Sequence, residues 1–296
     1  MTTGVLVMAY GTAAGPHDIE RYYADIRGGR APSPELLEEL RARYAAIGNR
    51  FPLTEITEAQ AAGLERELGE GFRAYVGMKH SPPFVPETVE KMAADGIERA
   101  VGIVMAPHYS RMSIGGYVER VERAEAPIEV DVIESWHTHP AYLEVLADRV
   151  RRALDMLPEN PFVVFTAHSL PVRILDEGDP YPDQLRETAN AIAERLGISD
   201  YTTGWQSAGR TPEPWLGPPL EELIPQVAKK HPAVLVVPCG FVSDHLEILY
   251  DLDVEARQIA GREGIAFART ESLNAEPDFI SALATIVRDR LASWDR

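Results

Sequence analysis

Short apolar runs rich in β-branched residues alternate with amphipathic segments along the chain, and no other feature restricts the fold as much. The runs fall at residues 5–10, 73–78, 101–106, 128–134, 162–167, 201–206 and 233–238. Each is strand-sized and apolar on both faces, as strands are when helices cover a parallel sheet from either side. The segments between them carry helix signals: Ser33 before Pro34, Thr57 with Gln60 three residues on, and Gly96 and Gly197 at helix ends. Strand and helix in alternation predict an α/β protein of parallel sheets flanked by helices, with ligands bound beyond the carboxyl ends of the strands.

Length and internal similarity divide this pattern in two. A chain of 296 residues can bury two cores of ordinary size. The string at residues 7–12 parallels that at 164–169, and 103–108 parallels 235–240. A duplicated lobe is therefore expected, residues 1–138 and then 139–296, with a linker near Trp136 to Tyr142 and a terminal helix that can pack back on the first lobe. The cleft between the lobes would have Tyr10 and His108 on one wall, and His168 and Glu247 on the other.

The last of these runs leads through Cys239 and Gly240 into Asp244-His245-Leu246-Glu247, with Asp251 and Glu255 following. On an α-helix, Glu247, Asp251 and Glu255 share one face, and like charges so spaced cost a few tenths of a kcal/mol per pair. Such a stripe is either an exposed acidic face or a surface for cations and protons; Asp244 and Glu247 also match a capping box. His168 closes the run at 162–167 just before Ser169-Leu170-Pro171, a strand end where an imidazole is a ligand, a base or simply a hydrogen-bonded turn residue.

Tyr10 precedes the Gly11-Thr12 turn. His137 and His139 have no third ligand nearby and read as loop histidines. Trp205 and Trp215 flank a polar, Pro/Gly-rich stretch, so at least one indole is expected at a cleft edge. Arg21, Arg27, Arg30, Arg41 and Arg43 gather in an early helical region, able to clamp carboxylates or to pair with Glu20, Asp25, Glu38 and Glu39.

Composition narrows the function. Forty-six acidic against 29 basic residues give a net charge of -17, which argues against nucleic acid and anionic lipid as partners. No basic stretch followed by an apolar one opens the chain, so secretion and membrane integration are not expected and a cytoplasmic location is. A single cysteine, Cys239, excludes an internal disulfide and a four-cysteine iron–sulfur cluster.

Taken in order, these strings resemble the ferrochelatases over nearly the whole chain. Residues 7–12 resemble the family's opening strand and His168-Ser169-Leu170-Pro171 its catalytic turn. Gly178-Asp179-Pro180-Tyr181, Gly204-Trp205-Gln206-Ser207, Pro214-Trp215-Leu216-Gly217-Pro218 and Asp244-His245-Leu246-Glu247 complete the set. The resemblance implies two Rossmann-like lobes of the class II chelatase type and insertion of Fe(II), a substrate, into a porphyrin.

It further implies His168 and Glu247 as catalytic and iron-contacting residues on one side of the macrocycle, with Tyr10 near the other. Ile26, Lys79, His80, Ser207 and Trp215 fall at porphyrin-contacting positions, and Arg27, Arg30, Arg43 and Tyr117 at propionate positions. Phe51 stands where relatives often carry serine beside a propionate, and Gly28 where some carry arginine. Asp251 and Glu255 would form an outer divalent-cation site, for instance for Mg(II), with no tightly bound cofactor.

The chain resembles soluble coproporphyrin ferrochelatases, which implies coproporphyrin III as substrate and coprohaem as product. Four carboxylates also give the local arginines more to bind than two. Protoporphyrin IX is the alternative; a sirohydrochlorin chelatase is disfavoured by Glu247 in place of a second histidine. A non-catalytic porphyrin carrier would give His168 and Glu247 no role. A monomer is expected, with transient contacts to other haem-pathway enzymes.

Overall fold

The computed structural model describes residues 2–294. Eight parallel strands form two four-stranded sheets. The first contains β1 (Thr3–Ala9), β2 (Phe72–Met78), β3 (Arg99–Val104) and β4 (Glu129–Ile133) in the order β2-β1-β3-β4. The second contains β5 (Phe162–His168), β6 (Tyr201–Gln206), β7 (Ala233–Val237) and β8 (Ala266–Arg269) in the order β6-β5-β7-β8. The orders correspond strand for strand, and the two paired strings in the sequence lie on β1 with β5 and on β3 with β7. β8 is the strand absent from the sequence reading: it has four half-buried residues, too few for an apolar run.

The helices are α1 (Ile19–Ile26), α2 (Pro34–Ala46), α3 (Leu53–Leu68), α4 (Val85–Ala94), α5 (Gly115–Glu122), α6 (Pro140–Leu154), α7 (Tyr181–Leu196), α8 (Leu220–Ala228), α9 (Leu246–Leu249), α10 (Arg257–Glu263) and α11 (Pro277–Trp294). None of the described helices is long and apolar enough to cross a membrane. The inner faces of both sheets share one apolar cluster: Val5, Val7 and Ile103 from the first join Val163, Phe165, Leu235 and Val237 from the second. α11 packs on both α3 and α6 and adds Phe279 and Leu283 to that cluster. Separate clusters cover the outer face of each sheet, and a small one, built on Ile19, Tyr22, Leu37 and Tyr44, lies under α1 and α2.

Several local expectations are corrected here. Ser33 does cap α2, accepting from the Leu36 amide at 3.4 Å, but Thr57 lies inside α3 and donates to the Leu53 carbonyl at 2.7 Å. Gln60 instead donates to Ser243 Oγ at 2.9 Å and to the Asn274 carbonyl at 2.8 Å, tying α3 to the second half of the chain. The segment from Trp136 to Tyr142, which connects β4 to α6, carries buried aromatic rings at both ends. Both rings are buried edge to face at 4.9 Å; Trp136 Nε1 donates to the Val104 carbonyl and the Tyr142 hydroxyl to that of Cys239.

Candidate active site

Because every strand is parallel, the carboxyl ends of each sheet lie along one edge, and the chemistry-bearing residues follow those ends. Tyr10 follows β1, Lys79 and His80 follow β2, His168 ends β5, Ser207 follows β6, and Glu247 lies beyond β7. The β1–β2 pairing runs past the strands: Lys79 and His80 amides donate to the Ala9 and Tyr10 carbonyls, each at 2.9 Å. This holds the Tyr10 and His80 rings side by side at 4.6 Å. Gly11 makes the turn possible, since its φ of 96° is left-handed and an added Cβ would meet Ser81 Oγ at 2.5 Å.

His168 is held by its strand. Its Nδ1 faces the Ser169 carbonyl, an acceptor, so Nδ1 carries the proton and Nε2 is the atom left to bind metal or take a proton. Nε2 stands 3.6 Å from Glu247 Oε1, and His245 Nε2 stands 3.5 Å from the other oxygen of that carboxylate. His245 Nδ1 in turn faces the Ser243 carbonyl at 2.8 Å. Two imidazoles with the same tautomer lock thus flank one carboxylate.

Charge follows from this arrangement. Burial opposes a proton on His168, but the Glu247 carboxylate, with the Ser169 carbonyl and Asp251, outweighs it and raises the imidazole to about 8. Burial likewise opposes ionisation of Glu247, yet His168 and His245 hold it well below the usual carboxylate range. Asp251 goes the other way: burial and the Glu247 charge push it up to about 7. Tyr10 is 43% exposed just past the end of β1, but burial around its hydroxyl and then Glu247 raise its phenol, which stays neutral.

The family model for ferrochelatase matches residues 2–291. The chain belongs to the ferrochelatase family. Curated relatives named coproporphyrin III ferrochelatase, from Anoxybacillus flavithermus and Bacillus subtilis, are each 47% identical over 302 residues. The alignments cover 97% of this chain and 96% and 97% of those relatives. Among solved structures, SirB from Bacillus subtilis with Fe3+ superposes with a TM-score of 0.63 at 11% identity, covering 100% of this chain and 98% of SirB. CbiX, described as the terminal enzyme of sirohaem biosynthesis in denitrifying bacteria, gives 0.59 at 14%, covering 97% and 98%. At those identities the likeness concerns the fold, the two-lobe chelatase architecture.

Within this ferrochelatase, the acidic stripe has a geometry the sequence did not reveal. Asp244 is not an N-cap: it accepts from Ser272 Oγ at 2.7 Å, Asn274 Nδ2 at 3.1 Å and Arg269 Nη2 at 3.4 Å, while His245 is the capping position of α9. α9 then widens into a π-helical segment, Asp251–Ala256, marked by the Glu255 amide donating to the Tyr250 carbonyl at 3.0 Å. Asp251 is buried, accepts from Ser207 Oγ, and leaves Oδ1 without a hydrogen bond, 3.7 Å from Arg43 Nη1. Its solvated-face explanation therefore fails. Glu255 lies beside Tyr250, whose phenol it helps to raise. Among the described residues no three His, Cys, Asp or Glu side chains converge as a metal cage.

The remaining expected positions divide between cleft and support. Lys79 stands over the Tyr117 ring at 4.9 Å, and His80 Nδ1 meets Asp25 Oδ1 at 2.7 Å. Ile26 packs into the small cluster under α1 and α2, where Phe51 stacks on Tyr44 at 4.3 Å. Arg27 covers the Tyr23 ring at 5.9 Å with its buried Nε unpartnered, and Arg30 Nε donates to the Arg27 carbonyl at 3.2 Å. Arg43 lies over Tyr250 at 5.1 Å and within 3.7 Å of Glu39. Trp215 is half-buried, bridged to Pro171 and bonded through Nε1 to Thr211 Oγ1 at 3.0 Å, whereas Trp205 is buried against Tyr181.

His108 does not line the cleft as expected. It is buried, its Nε2 paired with Thr188 Oγ1 at 2.9 Å, and burial lowers it to about 3. His137 bonds Ser135 and Glu187, each at 2.7 Å. Residues that the sequence reading passed over include His245, Asp25 and Gln206. Gln206 accepts from Thr166 Oγ1 at 2.8 Å and donates to the Glu247 carbonyl at 3.2 Å, linking two strands to the site. His245 could have been singled out by its place within the Asp-His-Leu-Glu string; Asp25 and Gln206 had no local signal.

The His168–Glu247 pair sets an expectation for pH. A raised imidazole is protonated below about 8 and becomes an available Nε2 above it, so the iron-insertion rate should climb as pH rises through about 8. In Glu247→Gln the main counter-charge is gone and burial is opposed only by the Ser169 carbonyl and Asp251, lowering the histidine. The rising limb should then move to lower pH by about one unit or more in anaerobic stopped-flow profiles. An unmoved limb would exclude this pairing as its cause.

Proposed function

We propose that this ferrochelatase, acting as a metal-inserting lyase, places Fe(II) in coproporphyrin III to give coprohaem. The observation that carries the reading is His168: with Nδ1 held by the Ser169 carbonyl, loss of the imidazolium proton opens Nε2 at a strand end, beside the ionised Glu247. The relatives' names and the arginines and lysine around the cleft support coproporphyrin III over a less carboxylated macrocycle.

Insertion releases two pyrrole protons as the metal enters. His168 Nε2 takes one as base, or touches the incoming iron first, Glu247 stabilises the resulting imidazolium, and the second proton leaves through the carboxylates of Glu247 and Asp251 to water. Asp251, poised near 7, passes protons between Glu247 and the outer stripe. Tyr10 stays neutral and faces the macrocycle from the first half of the chain, with Ile26, Lys79, His80, Ser207 and Trp215 as further macrocycle contacts. Arg27, Arg30, Arg43 and Tyr117 are the groups assigned to its carboxylates.

Asp251 and Glu255 are read as an outer divalent-cation site, such as for Mg(II); Asp251 Oδ1, which has no hydrogen bond and faces Arg43 at 3.7 Å, is the kind of oxygen donor such an ion needs. No iron–sulfur cluster is assigned. The working units are lobes of residues 1–138 and 139–296, in a cytoplasmic monomer that meets other haem-pathway enzymes transiently.

The test is anaerobic incubation with Fe(II) and, separately, coproporphyrin III, protoporphyrin IX and sirohydrochlorin, following the visible bands. Fast metallation of coproporphyrin III is expected; faster metallation of either other macrocycle would overturn the substrate assignment. Asp251→Asn with Glu255→Gln should slow turnover at limiting Fe(II) more than at saturating Fe(II). Equal losses at both concentrations would remove the stripe as a delivery route.

A further inference from the structure

We propose that Lys79 and Arg120 together form a carboxylate-binding subsite in the cleft, one that takes a side-chain carboxylate of the macrocycle and so deepens the functional reading on which it rests. The two come from separate elements, the turn after β2 and the helix α5. Lys79 Nζ donates to the Ser113 carbonyl at 3.1 Å, and Arg120 Nη1 to the Gly116 carbonyl at 2.9 Å. They approach each other over Gly116: a Cβ there would lie 2.7 Å from Nζ and 3.8 Å from Nη1. The missing side chain is what leaves room for both cations there.

Among the described residues the hydrogen-bond acceptor of each cation is a neutral carbonyl, and Lys79 also lies over the Tyr117 ring. Among the described residues no carboxylate lies within ion-pair distance of either, and Glu119, beside Arg120 on α5, pairs with Arg123 at 3.5 Å. Among the early arginines, Arg21 pairs with Asp18, Arg41 with Glu20, and Arg43 with Glu39 and Asp251, whereas Arg27 and Arg30 have no such acid among the described residues. In a chain with 46 acidic and 29 basic residues, two half-buried like charges left side by side are an electrostatic cost that a bound anion removes. Burial and then the Arg120 guanidinium bring Lys79 down to about 8, a strain that an arriving carboxylate relieves. The setting suits a flat ligand, because Lys79 lies over Tyr117 and adjoins His80, whose ring meets that of Tyr10.

Fluorescence-quenching titration of the full chain with metal-free coproporphyrin III, and with its tetramethyl ester in the same detergent, tests this. Arg120→Gln and Lys79→Gln should each weaken binding of the acid about tenfold, the scale of one hydrogen bond to a charged group. Ester affinity should not change, and Arg120→Lys should restore most of the loss. Unchanged affinity for the acid, or equal weakening of acid and ester, would overturn the subsite, the latter by showing that the residues only support packing. The titration contains no metal. A chain that binds coproporphyrin III through Arg120 yet never metallates it would therefore refute the activity and retain the subsite.

Discussion

His168→Ala is expected to lower the rate of iron insertion by about a thousandfold or more, while porphyrin affinity stays near the wild-type value. The split follows from where the side chain stands. Nδ1 is occupied by the Ser169 carbonyl and Nε2 is the one ring atom free for metal or proton, so truncation removes the chemistry. The macrocycle's other assigned contacts lie on Tyr10, Lys79, His80 and the arginines, and these are untouched. Parallel quenching titrations and anaerobic metallation assays measure the two quantities. Wild-type insertion rates would end the role given to His168. A matching loss of affinity would make it a binding residue instead.

Phe279→Ala should destabilise the chain by about 3–5 kcal/mol, the usual cost of removing a fully buried aromatic. Phe279 is fully buried on α11, with its ring 6.1 Å from that of Trp136. It belongs to the cluster that joins the inner faces of both sheets, so the loss should appear as one cooperative unfolding transition rather than two. Leu175→Ala, at a position 49% exposed, is the control. Urea melts read by near-UV and far-UV circular dichroism test the point. A loss below about 1 kcal/mol would show that α11 is peripheral to the core, since such values are typical of surface sites.

Much of the fold could be read locally. A strand covered on both faces is apolar throughout, so seven of the eight strands announced themselves, and the similarity of the strings on β1 and β5 carried the duplication. β8 escaped because four half-buried residues produce no pattern. Helix signals were less secure. Thr57 and Gln60 have the spacing of a cap, yet Gln60 is used to reach Ser243, 183 positions away, a contact that no local rule encodes.

The candidate site was legible in part for the same reason. His168 and Glu247 lie at strand ends, which is where parallel sheets place ligands, and their strings carry the family resemblance. The four-residue spacing of the acids was also visible, but it fits an α-helix and a π-turn equally well, so the widening at Asp251–Ala256 was not. His108 was misplaced because a strand-end histidine can turn toward a neighbouring helix as readily as toward a cleft; Thr188 on α7 decides.

The sequence by itself determined the order of strands and helices, the repeat, and which residue types wait at the strand ends, because burial and chain direction are written in local pattern. Only the tertiary structure decided their charge. Glu247 is ionised because two imidazoles flank it, Asp251 holds its proton near neutrality because burial and Glu247 act on it, and Lys79 is brought down because burial and the Arg120 guanidinium act on it. Those states depend on distances of a few ångströms between groups far apart in the chain, and on the water that packing excludes around them.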